Sequence, residues 1–307
     1  MRRGIVGLLG CIAVAIGGGV GANQDGAHEE FGAWSEAVNL GAVVNSSARD
    51  TGGFVSRDGL SLYLSSSRAG TTGTDLYVSR RLAVDLPWMT PAPLDMLNSP
   101  VNDGDPTLSS DNRRLFFVSG RAGAGPDVWV SERRHKHDDF GWEPPVLLPS
   151  PPNSAGQDVA AVYVEEPGRR RQLYLSSGPN AAGLDIYVAE LRQDGTWGDP
   201  ENLVVLNSAF EDSGSAIRFD GLEMIFSSRR GGNLDLYVTR RAHRWEPWSP
   251  PENLGAIVNT ASQEFSVSLS PNGRTLYFAS DRPNGFGNFD LYASTRSRLG
   301  RSSSQWK

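Results

Sequence analysis

Apolar and polar residues alternate along this chain in a pattern that recurs five times. The copies read GFVSRDGLSLYLSSSRAGTTGTDLYVSRR from Gly53, PTLSSDNRRLFFVSGRAGAGPDVWVSERR from Pro106, VAAVYVEEPGRRRQLYLSSGPNAAGLDIYVAELR from Val159, SAIRFDGLEMIFSSRRGGNLDLYVTRR from Ser215 and SVSLSPNGRTLYFASDRPNGFGNFDLYASTR from Ser266. Most open on a short alternating stretch, reverse at a polar turn such as Asp58-Gly59, Asp220-Gly221 or Asn272-Gly273, and continue into a β-branched and aromatic run. Such runs on either side of a polar turn predict a β-hairpin. A glycine-rich loop follows. A third apolar run then starts at Asp75-Leu76-Tyr77, Asp127-Val128-Trp129, Asp185-Ile186-Tyr187, Asp235-Leu236-Tyr237 or Asp290-Leu291-Tyr292, the aspartates lying 52, 58, 50 and 55 residues apart. Between copies sits a fourth apolar segment led by tryptophan: Trp88 with Pro93-Leu94, Trp142 with Val146-Leu147, Trp197 with Asn202-Leu203 and Trp248 with Asn253-Leu254.

Four strands per unit at this period describe a propeller blade. One more tryptophan segment, Trp34 to Leu40, precedes the first unit, while the last unit ends soon after Asp290-Leu291-Tyr292. The expected fold is therefore all-β: a single five-bladed β-propeller of four-stranded blades over residues 31–296, closed by residues 33–40 as the outer strand of the last blade. That closure pairs an edge that would otherwise be open.

The polar turn, the strand LYLSSSR at 62–68 and the DLY strand resemble the TolB-type, WD-like propeller repeat of bacterial envelope proteins. The resemblance implies a rigid platform, often periplasmic or outer-membrane associated and used mainly for protein–protein contact. TolB itself has six blades and a domain before them, neither evident in this sequence, so its particular role is not carried over.

Composition narrows the picture further. With 307 residues, 35 Gly and 19 Pro, the chain suits one large turn-rich β domain. Residues 1–22, MRRGIVGLLGCIAVAIGGGVGA, read as a secretory signal cut after Ala22, with 23–30 a short linker and 297–307 a disordered tail. The string LLGC at 8–11 also looks like a lipoprotein cleavage box, which would anchor the chain through Cys11, its only cysteine. A cut after Ala22 leaves no thiol and no disulfide. The expected location is secreted or periplasmic, without an integral membrane span. A formal charge of −6 argues against nucleic acid, whose phosphates need a basic surface.

The connections between units carry the sharpest chemical pattern. They read NSSARD at 45–50, NSPVND at 98–103, NSAGQD at 153–158, NSAFED at 207–212 and NTASQE at 259–264. The acids Asp50, Asp103, Asp158, Asp212 and Glu264 immediately precede the inner strands and are expected to ring one mouth of the channel, with Asn45, Asn98, Asn153, Asn207 and Asn259 beside them. Clustered carboxylates call for a compensating cation, so one reading is a polar ligand seat or a calcium site. The other is structural, with each Asn making a turn and each acid accepting backbone N–H groups. Arg68, Arg121, Arg229 and Arg282 begin the loop before the DLY-type aspartates and are expected to bond them across it. The third unit has Gly178 at that place, leaving Asp185 without a cation. It also carries a charged insertion, Glu165 to Arg171, on the opposite face.

Weaker candidates are His135 and His137, which lack a third metal ligand, and the tryptophans, better suited to rim packing than to sugar stacking. No nucleophile elbow, zinc helix or phosphate loop is present. The sequence thus favours a non-catalytic scaffold that holds an envelope protein or cell-wall component. Two alternatives stand beside it: a glycan hydrolase using channel-mouth carboxylates, and a calcium-stabilised structural or sensor propeller.

Overall fold

The computed structural model describes residues 31–299, apart from Ala124, residues 166–169 and residues 180–182. The signal and linker expected at 1–30, most of the expected tail and the tip of the third unit's insertion lie outside these residues. Two short strands come first, β1 (Phe31–Trp34) and β2 (Val38–Asn39). Blade I is β3 (Asp50–Val55), β4 (Ser61–Ser66), β5 (Asp75–Arg80) and β6 (Ala92–Pro93). Blade II is β7 (Asp103–Leu108), β8 (Arg114–Ser119), β9 (Asp127–Glu132) and β10 (Val146–Leu147). Blade III is β11 (Gln157–Glu165), β12 (Arg171–Gly178), β13 (Asp185–Leu191) and β14 (Glu201–Asn202). Blade IV is β15 (Asp212–Ile217), β16 (Glu223–Ser228), β17 (Asp235–Arg240) and β18 (Glu252–Asn253). Blade V is β19 (Glu264–Leu269), β20 (Thr275–Ser280) and β21 (Asp290–Arg298), completed by β2 and β1, which both pair with β21. All strand pairs within the blades are antiparallel, and the innermost strands β3, β7, β11, β15 and β19 touch in turn, with β19 returning to β3. This is the expected five-bladed ring with its expected closure.

The alternation of side chains builds the ring. Leu62 and Leu64 of β4 enter the cluster shared with blade V, whereas Tyr63 between them enters the cluster shared with blade II. Phe116 and Phe117, Leu173 and Tyr174, Ile225 and Phe226, and Tyr277 and Phe278 divide between neighbours in the same way. Each second strand is thus buried on both faces, which is why it reads as a continuous apolar run. Five hydrophobic clusters result, one at each blade junction. At the rim, Trp88, Trp142, Trp248 and Trp34 are each stacked by an arginine, namely Arg81, Arg133, Arg241 and Arg296. The Nε of each arginine donates to a hairpin carbonyl, of Gly59, Asn112, Gly221 and Gly273 respectively. These tryptophans hold blades together.

Each inner strand carries a β-bulge just after its first acid, marked by a register shift against the second strand. The bulged residues Gly52, Asp105, Ala160, Gly214 and Ser266 have φ of 61, 50, 52, 58 and 50°. Glycine takes this left-handed conformation freely, Asp with modest strain, and Ala and Ser with more.

Candidate functional site at the channel mouth

The five asparagines form a set of backbone staples. Asn45, Asn98, Asn153, Asn207 and Asn259 each accept from and donate to the backbone of one third-strand residue: Leu291, Leu76, Val128, Ile186 and Leu236. A side-chain amide can supply both halves of a peptide's hydrogen bonding, so the Asn extends the sheet where the chain leaves it.

All five ring acids have 0% exposure. One carboxylate oxygen accepts the backbone N–H four residues back, from Ser46, Ser99, Ser154, Ser208 or Thr260. In four blades an arginine Nη2 donates to the acid: Arg68 to Asp50 at 2.8 Å, Arg121 to Asp103 at 2.6 Å, Arg230 to Asp212 at 2.7 Å and Arg282 to Glu264 at 3.0 Å. The same Nη2 reaches the carbonyl of Val44, Leu97, Leu206 or Val258. Its Nε donates to Ser66, Ser119, Ser228 or Ser280, while the guanidinium lies over Tyr77, Trp129, Tyr237 or Tyr292. Enclosed and hydrogen-bonded in this way, the four clamped acids Asp50, Asp103, Asp212 and Glu264 offer a substrate no free face.

This geometry corrects three sequence expectations. The arginines clamp the ring acids instead of the DLY-type aspartates, because strand pairing sets Asp50 opposite Ser66, and the arginine two residues on folds back over that pair. In blade IV the clamp is Arg230, since Asp212 pairs with Ser228; Arg229 binds Glu211 instead. In blade III Asp158 pairs with Ser177, so the arginine's place falls to Pro179 and not to Gly178. Asp185 accepts from Asn202 at 2.9 Å, and the carboxylate left without a cation is Asp158. Asn39 and Asn253 serve Asp290 and Asp235 as Asn202 serves Asp185. His137 lies 3.1 Å from Asp58 at the exposed surface, and no group of three or more His, Cys, Asp or Glu is placed to hold a metal among the described residues.

The channel wall holds a carboxyl that the repeat pattern conceals. Asp105 occupies the bulge of blade II, where the other blades have Gly52, Ala160, Gly214 and Ser266, and all five line a neck cavity of about 30 Å³. Its N–H donates to Ser65 of blade I at 2.9 Å, and a β-carbon placed on Gly52 would stand 3.4 Å from the Cα of Asp105. The Asp105 carboxylate accepts no hydrogen bond from the described residues. Burial pushes it above the usual 3.8, and the charge of Arg49 pulls it part of the way back. Arg49 itself lies over the rings of Phe265 and Phe289, at 5.2 and 4.6 Å, and those rings meet edge to face at 5.1 Å. A carboxyl, a guanidinium and an aromatic pair from blades II, I and V therefore share this mouth. A signal was available in the sequence, since Asp105 alone is charged among the residues two places after each ring acid. Beyond the neck the opposite mouth widens into a largely apolar cup of about 110 Å³, rimmed by Arg57 over Phe219 and by Glu165.

No family model matches the chain, and no curated protein does. Solved structures do. The catalytic domain of a GH62 α-L-arabinofuranosidase from Coprinopsis cinerea covers 86% of this chain and 97% of its own, with a TM-score of 0.59 and 12% identity. The α-L-arabinofuranosidase PaAbf62A from Podospora anserina, solved with cellotriose, covers 88% and 98% with a TM-score of 0.57 and 13% identity. The likeness is one of fold. TolB from Acinetobacter baumannii also matches, over 84% of this chain and 57% of its own, with a TM-score of 0.47 and 12% identity. The expectation of a non-catalytic protein-binding scaffold is corrected here. It rested on the TolB resemblance, whereas the solved structures that match this chain with TM-scores of 0.56 to 0.59 are a family-43 glycoside hydrolase, α-L-arabinofuranosidases and a GH62 hydrolase.

Proposed function

We propose that the chain acts on a glycan at the ring-acid mouth of its channel, with Asp105 as the proton donor. Asp105 carries the reading. It is the one charged side chain among the described residues lining the neck, its carboxylate accepts no hydrogen bond from the described residues, and burial raises its pKa against the opposing pull of Arg49. Glycoside hydrolysis needs a carboxylic acid that keeps its proton until the leaving oxygen takes it. Arg49 would bind sugar hydroxyls, and Phe265 and Phe289 would offer an apolar face to a sugar ring. The named activity of the structural neighbours makes arabinofuranosides the first substrates to try.

Hydrolysis also requires a second carboxylate as base or nucleophile. Asp75 is the candidate, since it stands at the same face beside the junction of blades I and II and its Oδ1 is enclosed without a hydrogen-bond partner. The test is turnover of aryl arabinofuranosides, arabinan and arabinoxylan by the full chain and by Asp105→Asn and Asp75→Asn. Hydrolysis that falls at least about 100-fold in Asp105→Asn, with sugar binding retained, supports the reading. Equal turnover in wild type and Asp105→Asn sinks the assignment, and binding without hydrolysis by the wild type sinks the catalytic reading.

A further inference from the structure

At each blade junction two acids meet. The ring acid of one blade donates its backbone N–H to the residue just before the DLY-type aspartate of the blade before it: Asp50 to Phe289, Asp103 to Thr74, Asp158 to Pro126, Asp212 to Leu184 and Glu264 to Leu234. The aspartates so placed are Asp290, Asp75, Asp127, Asp185 and Asp235. Four junctions neutralise the pair with the clamping arginine, and three of these add an asparagine on the aspartate. The junction of blades II and III has neither. Leu147 replaces the asparagine opposite Trp129, and Pro179 stands in the arginine's place.

Asp127 and Asp158 are thus left together, 9% and 0% exposed. The Oδ1 of Asp158 is enclosed and accepts no hydrogen bond, while its Oδ2 accepts from the backbone N–H and the hydroxyl of Ser154. Burial and then the charge of Asp158 push Asp127 above the usual carboxylate range. Two carboxylates so close repel one another unless a cation or a proton compensates them. The atoms that address the arginine elsewhere remain here as oxygens. Ser177 pairs with Asp158 as Ser66 pairs with Asp50, and the carbonyl before Asn153 is that of Pro152.

We propose that this junction binds one calcium ion between Asp127 and Asp158, in the place that a guanidinium fills in the other four. Carboxylate, hydroxyl and carbonyl oxygens are hard ligands, and calcium accepts them in irregular geometry, with water completing the shell. The site is distinct from a central ring site, because the other acids are already ion-paired. It does not depend on the glycan reading, and its test leaves Asp105 untouched.

The experiment is calcium titration of the full chain by calorimetry, with terbium luminescence as a second probe. Trp129 lies two residues from Asp127 on the same strand and can sensitise a bound lanthanide. One ion per chain is expected, with a rise in melting midpoint of about 3–8 °C at saturating calcium. Asp127→Asn should remove the response while keeping the fold. Pro179→Arg, which restores the missing guanidinium, should raise the calcium-free midpoint and abolish binding. No binding at millimolar calcium overturns the proposal, as does a calcium response that survives both substitutions. A midpoint that follows pH and ignores calcium overturns it too, since the pair would then be neutralised by a proton.

Discussion

Asp105 shows how much one side chain depends on its neighbours' silence. Four of the five bulge positions hold Gly, Ala or Ser, so an alignment of the repeats weights that column as small and loses the acid. Its chemistry yields a pH-dependent prediction. A carboxyl raised in the native state binds its proton more tightly there than in the unfolded chain. Stability is then greatest below the unfolded value, near 3.8, and declines as pH climbs to the native value. Asp105→Asn removes that decline and keeps a residue that tolerates a positive φ. Urea melts should find the variant more stable than wild type at pH 7 and not at pH 3; equal stability at pH 7 would refute this. A second prediction concerns backbone strain. Ala160 has a φ of 52°, so Ala160→Gly should stabilise the protein by about 0.5–1 kcal/mol, the relief of a left-handed alanine less the added freedom of the unfolded chain. Loss of stability in a denaturant melt would contradict it.

At the scale of elements, the unit of construction is the clamp that ties a connecting loop to the hairpin beside it. Its parts were legible in the sequence as an Asn and an acid in every repeat and an arginine in four of the five. Its wiring was not. Arg229 and Arg230 are adjacent, and only the pairing of Asp212 with Ser228 decides which one faces the buried acid. The consequence is measurable. Arg230→Ala leaves Asp212 enclosed and unpaired, and should cost about 3–5 kcal/mol. Arg229→Ala removes a partly exposed pair with Glu211, and should cost about 1 kcal/mol or less. Chemical denaturation of the two variants checks this, and similar losses would mean that the clamp has been misassigned. The same logic exposes the missing cation of blade III, because counting arginines along the sequence places the gap at Gly178 and beside Asp185.

The whole molecule is a ring whose two ends meet in blade V. The outer edge of β21 is covered by β2 and β1, and Arg296 of β21 lies over both Phe31 and Trp34 and is paired with Glu223 of blade IV. Removing residues 1–40 should therefore expose an unpaired strand edge next to a buried ion pair. Calorimetry should record loss of the single cooperative melt, and size-exclusion chromatography should record association that grows with concentration. An unchanged monomeric melt would show that the closure is dispensable. Blade number, strand order and closure could be read from the sequence alone, because they rest on local alternation, turn residues and a period of about fifty residues. Tertiary structure decided which acid meets which arginine, that the ring acids are sealed from the channel, that Asp105 enters it, and that one junction lacks a cation. Those are relations between segments far apart in the chain, set by strand register and burial, and no single repeat contains them.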